Sequence, residues 1–470
     1  MSDPSLGSDA ALRVADTLRR RKVPAPWDVY GERLERYEVH FTGTTPEMVR
    51  SPVRLEGVGI RLLRPVDGKL GIGFAATSDV SDESVAEAVD DAEATARHAR
   101  FPATSAALPE GGGTGAAAPS FDAAAWAEPM PSLEAYLATM FSAFDGRRGV
   151  GPSFGSVHLT LSEATLANSS GLEHRTSRTE VYREVAVKAW DGPEGPAPGE
   201  YWVTDRSVRL DASGMREEVA EWCRKAQDVR SARSPGAGTQ SVVLPPRVLS
   251  DVLPTILGFR LSGVAELRGI APRPGEEVAS PSISIWDDGL FPYAVGTSTL
   301  DDEGSPQTKR ALLGGGRSSS NLYDVLHGSA AGRPTTGSGL RFSVIYPRWS
   351  RFDSTPGPTP STLVVGTGDL GSDAEIAEAA GDGIWVDQLG YAFPDALSAA
   401  FGGEVRLGYR IHQGKIVEPV RGGTVGGVVV GGVGEPSLLN SVAGLGKRAS
   451  LTPHLACPTM VVTGLAVGGA

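Results

Sequence analysis

Leu12, Val14, Ala15 and Leu18 recur at helical spacing across residues 10–22, and Pro24 and Pro26 follow, so a short helix opens the fold and stops before the prolines. The runs Tyr37-Glu38-Val39-His40-Phe41, Val58-Gly59-Ile60-Arg61-Leu62-Leu63 and Gly71-Ile72-Gly73-Phe74-Ala75 are rich in β-branched and aromatic residues and separated by Gly, Pro and Asp, which predicts antiparallel strands. Ser81 with Asp82 and Glu83 then precedes Val85, Ala88, Val89, Ala92 and Ala96. A capping serine and early carboxylates announce an amphipathic helix to about Arg97. Helices over 132–144 and 214–230 and strands over 157–161, 164–168 and 179–190 follow by the same rules, with a hairpin at Asn168-Ser169-Ser170-Gly171.

Residues 103–118 are almost wholly Ala, Gly, Pro, Ser and Thr, the composition of a flexible connector, and 231–239 is a second such stretch. The expected division is an N-terminal sub-domain 1–102, a connector 103–118, the middle part of the N-terminal domain 119–230, a linker 231–239 and a C-terminal β-rich domain 240–470. In the last, 247–259 has helical period but holds Pro254, so its helix must kink or begin late. A helix over 372–380 and closely packed Val/Gly strands over 424–434 and 458–469 complete an α+β class with two domains rich in antiparallel sheet.

Hydrophobic residues make up 40% and charged residues 21%, proportions of a folded globular chain. A net charge of −12 sets the surface against phosphate backbones, so no direct nucleic-acid binding is expected. The one compact basic run, Arg19-Arg20-Arg21-Lys22, suits a helix C-terminus. Two cysteines, Cys223 and Cys457, are too few for a disulfide framework and too isolated for a thiolate zinc site. The N-terminus is polar and no window approaches 18 apolar residues, so the expected location is cytoplasmic, away from membranes.

Several segments recur in an informative order: Gly57-Val58-Gly59-Ile60-Arg61, then Gly71-Ile72-Gly73-Phe74-Ala75, Ala167-Asn168-Ser169-Ser170-Gly171-Leu172, Val243-Leu244-Pro245-Pro246-Arg247-Val248 and Asp301-Asp302-Glu303-Gly304-Ser305-Pro306. Thr335-Thr336-Gly337 and Cys457-Pro458-Thr459-Met460-Val461-Val462 close the set, which resembles the TldD/PmbA family over nearly the whole chain. In that family the peptidase subunit carries His-Glu-x-x-x-His on a helix before the Asp-Asp-Glu-Gly segment and a cysteine ligand near the C-terminus, a donor set for zinc. The matching stretch here, Leu249 to Gly263, holds no histidine, and none of the seven histidines lies within five residues of another. Leu445-Gly446-Lys447 stands where metal-binding members have Cys-Gly-Lys.

The resemblance therefore implies a TldE-like chain without catalytic or metal-ligating residues and without a cofactor of its own. Its partner would be a TldD-like subunit bearing His-Glu-x-x-x-His and the zinc, in a heterodimeric metallopeptidase acting on small or unfolded peptides. The alternative is a homodimeric peptide- or protein-binding module, in line with the family's link to modulation of DNA gyrase.

Asp301, Asp302 and Glu303 could serve as paired carboxylates for acid/base work, or as turn residues whose side chains bond backbone amides before Gly304 and Pro306. Thr335 and Thr336 lie in a glycine-rich stretch without the lysine of a phosphate loop. Trp286, with Phe291 and Tyr293, either packs in the core or lines a peptide groove. Trp286, Asp301, Asp302, Glu303, Thr335 and Thr336 are the candidate cleft-lining residues.

Overall fold

The computed structural model describes residues 6–110, 119–190, 199–342, 350–432 and 435–469. Helix α1 (Leu6–Arg20) leads into β1 (Trp27–Thr42), β2 (Thr45–Val66) and β3 (Lys69–Thr77), then α2 (Asp82–Ala96) and the short β4 (Arg100–Phe101). Helices α3 (Ala123–Ala127) and α4 (Pro129–Ser142), strands β5 (Val150–Asn168), β6 (Glu173–Ala189) and β7 (Gly199–Ser207), and helix α5 (Met215–Ser231) complete the first half. The seven strands form one sheet in the order β4-β3-β2-β1-β5-β6-β7, antiparallel throughout.

The runs read separately over 157–161 and 164–168 are one strand, because β1 pairs with β5 without a break from Asp28 to Thr42. Ser81 caps α2, its hydroxyl accepting from the Ser84 amide. The β5–β6 turn closes on Asn168, whose Oδ1 accepts from the amides of Ser170 (2.9 Å) and Leu172 (3.1 Å). Of the stretch read as a connector, residues 111–118 lie outside the described residues. Ala103, Ala106 and Leu108 are buried with Leu63, Leu70, Val325 and Leu326.

Strand alternation gives this sheet two faces. Val29, Val39 and Phe41 of β1 turn toward the helices, in clusters that include Val14 and Leu18 of α1, Val89 and Ala92 of α2, Leu133 and Met140 of α4, and Trp222 and Ala226 of α5. Asp28, Tyr30, Glu32, Arg36, Glu38 and His40 occupy the intervening positions and share the opposite, polar face.

The second half starts with β8 (Gly238–Leu244), α6 (Pro246–Ser250), α7 (Leu253–Arg260), α8 (Gly263–Leu267) and β9 (Ile285–Asp288). The helical stretch around Pro254 is two helices: α6 ends at Asp251, and Pro254 sits in the first turn of α7, where its missing N–H breaks no bond. Helices α9 (Val325–Ala331) and α10 (Asp373–Ala380) are short and capped by Asp324 and Ser372. An eleven-stranded sheet curls until β8 pairs with strand Gly383–Gly390 on one side and Leu455–Gly468 on the other, closing a ring. Two pairings in it are parallel, β8 with Gly383–Gly390 and Leu363–Val365 with Leu455–Gly468, so the antiparallel pattern is dominant without being universal. Inside lie Leu249, Leu253, Ile256, Leu257, Leu445 and Met460, all buried.

The halves meet over β2 and the acidic turn. A Cβ on Gly59 would stand 2.0 Å from the Phe352 carbonyl oxygen, and one on Gly57 would stand 2.3 Å from its ring, so both glycines are required for the second half to seat. Asp28 and Arg61 face each other across β1 and β2, 2.6 Å apart. Arg61 Nη1 reaches Glu303 Oε1 at 2.7 Å, and Arg341 Nη2 reaches Asp28 Oδ1 at 2.8 Å. None of these four side chains is exposed. Arg178 and Arg351 each lie 3.6 Å from Asp302, while the Arg351 amide donates to Glu32 at 2.6 Å.

Replacing Arg61 with Met strands Asp28 and Glu303 without their shared cation, which costs about 3–5 kcal/mol for a broken buried pair. Urea unfolding should show this loss for Arg61→Met, while Arg19→Met, which breaks an exposed pair with Asp16, should stay within about 0.5 kcal/mol of the parent.

Candidate functional site

Toward the second half, the polar face of the first sheet leaves a crevice. One cavity, about 50 Å³, is lined by Glu32, Arg36, Thr160, Ser162, Arg178 and Arg351 among others. A second, about 180 Å³, lies between Tyr182, Asp205 and Arg206 of the sheet and Arg247, Asp251 and Gln388 of the second half. The Glu180–Arg206 pair, bonded at 2.8 and 3.1 Å, stands between them, since Glu180 lines the first and Arg206 the second.

Asp251 is open to the crevice yet hemmed in by neighbouring protein atoms, and that loss of water pushes its carboxyl up to about 6, with Arg247 only partly offsetting it. Burial likewise raises Asp205 against the pull of Arg183, and raises the Tyr182 hydroxyl to about 12. A larger concavity of about 880 Å³ lies within the second half, between Arg260, the 269–276 loop and Val428, Val430, Gly431 and Gly432.

Of the acidic trio expected along a cleft, Asp301 and Asp302 border a void of only about 10 Å³, shared with Tyr30, His174 and Arg178. All three are buried at the junction of the halves. Asp301 accepts from the amides of Glu303 (3.0 Å), Ser305 (2.7 Å) and Gly339 (2.9 Å), Asp302 from Arg341 (2.7 Å), and Glu303 from Val325 (2.7 Å). These backbone bonds are the turn chemistry that the neighbouring Gly304 and Pro306 announced. Burial raises Asp301, and the charge of Glu303 raises it further. Burial also raises Asp302, but Arg351 and Arg178 outweigh it and hold that carboxyl below its usual range.

Thr335 and Thr336 are half-buried, and both hydroxyls donate to the Tyr323 carbonyl at 3.1 Å. They brace the turn that carries Gly339 to Asp301, which joins them to the acidic trio. Trp286 is half-buried on β9, with Lys309 Nζ 5.2 Å from its ring centre. Sequence reading missed Arg61, Arg341, Arg178 and Arg351. A charged residue inside the apolar run Ile60-Arg61-Leu62-Leu63 was the available signal for the first.

Around α7 the question is whether a metal could be held. Its residues, Leu253 to Arg260, offer no imidazole, thiolate or carboxylate. Leu253, Ile256 and Leu257 are buried in one aliphatic cluster with Leu445, the residue standing where the cysteine ligand is expected. Cys457 belongs to that cluster, and burial pushes its thiol far above its ordinary value, so it is a neutral core residue. The positions that the family resemblance matches to zinc ligands thus hold aliphatic side chains packed together.

Two family models match: PmbA/TldA metallopeptidase domain 1 over residues 27–96, and the PmbA/TldA metallopeptidase C-terminal domain over residues 237–469. The chain belongs to the TldD/PmbA family. Its overall structure is similar to that of TldE from Thermococcus kodakarensis, with a TM-score of 0.76, 19% identity and coverage of 97% of this chain and 100% of that one. It is also similar to a candidate modulator of DNA gyrase from Thermotoga maritima, with a TM-score of 0.77, 16% identity and coverage of 98% and 99%. In sequence it is 28% identical over 288 residues to a metalloprotease TldD homologue of Haemophilus influenzae, covering 54% of this chain and 58% of that one. An uncharacterized protein of Methanocaldococcus jannaschii is 24% identical over 299 residues, 63% of this chain and 66% of its own length. The match thus spans roughly three-fifths of each of these two relatives.

Next to Trp286, the Asp287 carboxyl is buried and pushed up to about 7, an effect of burial that the Thr362 and Ser361 amides only partly offset. Its folded value lies above the unfolded carboxylate value of about 3.9. Its contribution is therefore present below about pH 4 and is lost as pH rises through 7. In urea unfolding, the parent should lose stability relative to Asp287→Asn from pH 4 to 7 and level off above; parallel curves would contradict the assignment.

Proposed function

We propose that this chain is the non-catalytic subunit of a two-subunit TldD/TldE-type metallopeptidase that acts on small or unfolded peptides, including peptide precursors under maturation. The observation that carries this reading is the aliphatic packing of α7 against Leu445 at the positions where the family resemblance expects zinc ligands. A water activated by zinc needs nitrogen, sulfur or oxygen donors around the ion, and methyl groups supply none.

The likeness to a TldE structure supports the subunit type. The crevice supports the need for a partner, because cavities of about 50 and 180 Å³ fall below the roughly 300 Å³ of a typical ligand site. In this reading the chain supplies walls and strand edges for an extended peptide, β7 being the terminal strand of its sheet, while the partner supplies zinc and chemistry. Among the described residues no helix is long and apolar enough to cross a membrane.

Purified alone, the chain should leave unstructured peptides intact. Mixed with a paralogue from the same source that carries His-Glu-x-x-x-His, it should co-elute in size exclusion and raise peptide cleavage above the paralogue's own rate by at least about tenfold. Cleavage by the chain alone would overturn the proposal, and so would a mixture that neither associates nor accelerates.

A further inference from the structure

Away from α7, the outer end of the polar sheet face gathers three metal-binding side chains. Glu38 and His40 are two residues apart on β1 and therefore share a face, and His158 of β5 lies directly opposite Glu38 in the register. One ligand atom from each lies within 4.8 Å of the other two, and His40 Nε2 stands 3.6 Å from Glu38 Oε2. The Glu38 side chain is only 4% exposed.

The Nε2 atoms of both histidines are buried and make no hydrogen bond among the described residues. At 3.6 Å the nearest carboxylate oxygen is too far to satisfy His40 by hydrogen bonding. Two orphaned imidazole nitrogens beside a buried carboxylate are short of one common partner.

We propose that Glu38, His40 and His158 hold a divalent transition-metal ion, zinc in the first instance, with a water in the fourth position. Two imidazoles and a carboxylate form the mixed nitrogen and oxygen set that zinc accepts at about 2.0–2.2 Å. Ligand atoms around such an ion stand about 3.3 Å apart, so separations of at most 4.8 Å need to shorten by no more than about 1.5 Å.

Two cations compete for Glu38. Arg50 Nη1 lies 3.3 Å from Oε2 on a half-exposed side chain that can swing into solvent, and Arg36 Nη1 lies 4.0 Å from Oε1 while its Nε donates to Thr160. The ion displaces Arg50 and leaves Arg36 in place. This site lies on the first sheet, separate from the position of the family's catalytic zinc, and its existence does not depend on the proposed subunit role.

The test is equilibrium dialysis of the full chain, stripped with chelator, against Zn²⁺, with Co²⁺ as a spectroscopic probe of coordination. The parent should bind one equivalent, and tetrahedral Co²⁺ should show intense visible absorption. His40→Gln and His158→Ala should each weaken binding by at least about 100-fold with the unfolding midpoint retained, while His412→Ala, altering an exposed histidine paired with Asp382, should bind as the parent does. His40→Gln keeps a polar side chain at a partly exposed strand position, so it reports on the ligand even if His158→Ala fails to fold. A parent that binds no metal at micromolar Zn²⁺, or His40 and His158 variants that bind as tightly as the parent, would overturn the proposal.

Discussion

The fold depends on keeping Arg61 paired. An isolated guanidinium moved into the interior costs several kcal/mol, and Arg61 has no exposed surface through which water could reach it. It is tolerable only because Asp28 meets it from β1 and Glu303 meets it from the second half. Arg341 then balances Asp28, and Arg178 and Arg351 balance Asp302. The charges are satisfied only when the halves are docked, so the cluster fixes one relative placement of the two. The acidic turn is built for that purpose: Gly304 adopts φ +92° and leaves room for Leu172, which a Cβ would approach to 2.1 Å.

From this placement follows what the molecule can do. Docking closes the polar sheet face at the Asp28 end and leaves the crevice between Tyr182, Arg206, Arg247 and Asp251 open beyond it. Helix α6 contributes Arg247 and Asp251 to the crevice wall, and α7 immediately turns its aliphatic side chains into the core. The chain thus keeps the architecture of its family and gives up the zinc donors at the one helix where they would stand. The proposed binding role is compatible with that loss, because walls and strand edges depend on the sheet and not on the metal.

Local rules carried the sequence far. The Ser81 cap, the Asn168 hairpin and the division of the helical stretch near Pro254 each depend on residues within a few positions of one another, and all were legible from side-chain chemistry alone. The amide-bonding role of Asp301 was legible for the same reason, since Gly304 and Pro306 stand beside it. What stayed hidden were pairings between residues far apart in the chain. Arg61 meets Glu303 across 242 positions and Arg341 meets Asp28 across 313, and no periodicity encodes such a meeting. Trp286 was beyond reach for a related reason: whether a strand aromatic faces a groove or a core depends on which sheet lies over it.

In the proposed two-subunit enzyme, hydrolysis belongs wholly to the partner. This assignment is tested most directly by mixing this chain with a His-Glu-x-x-x-His paralogue whose motif glutamate is replaced by glutamine, and measuring peptide cleavage in the purified complex. The complex should still form, and cleavage should fall to the level of a metal-free blank. Cleavage that persists in that complex, and that disappears when this chain is withheld, would contradict the assignment.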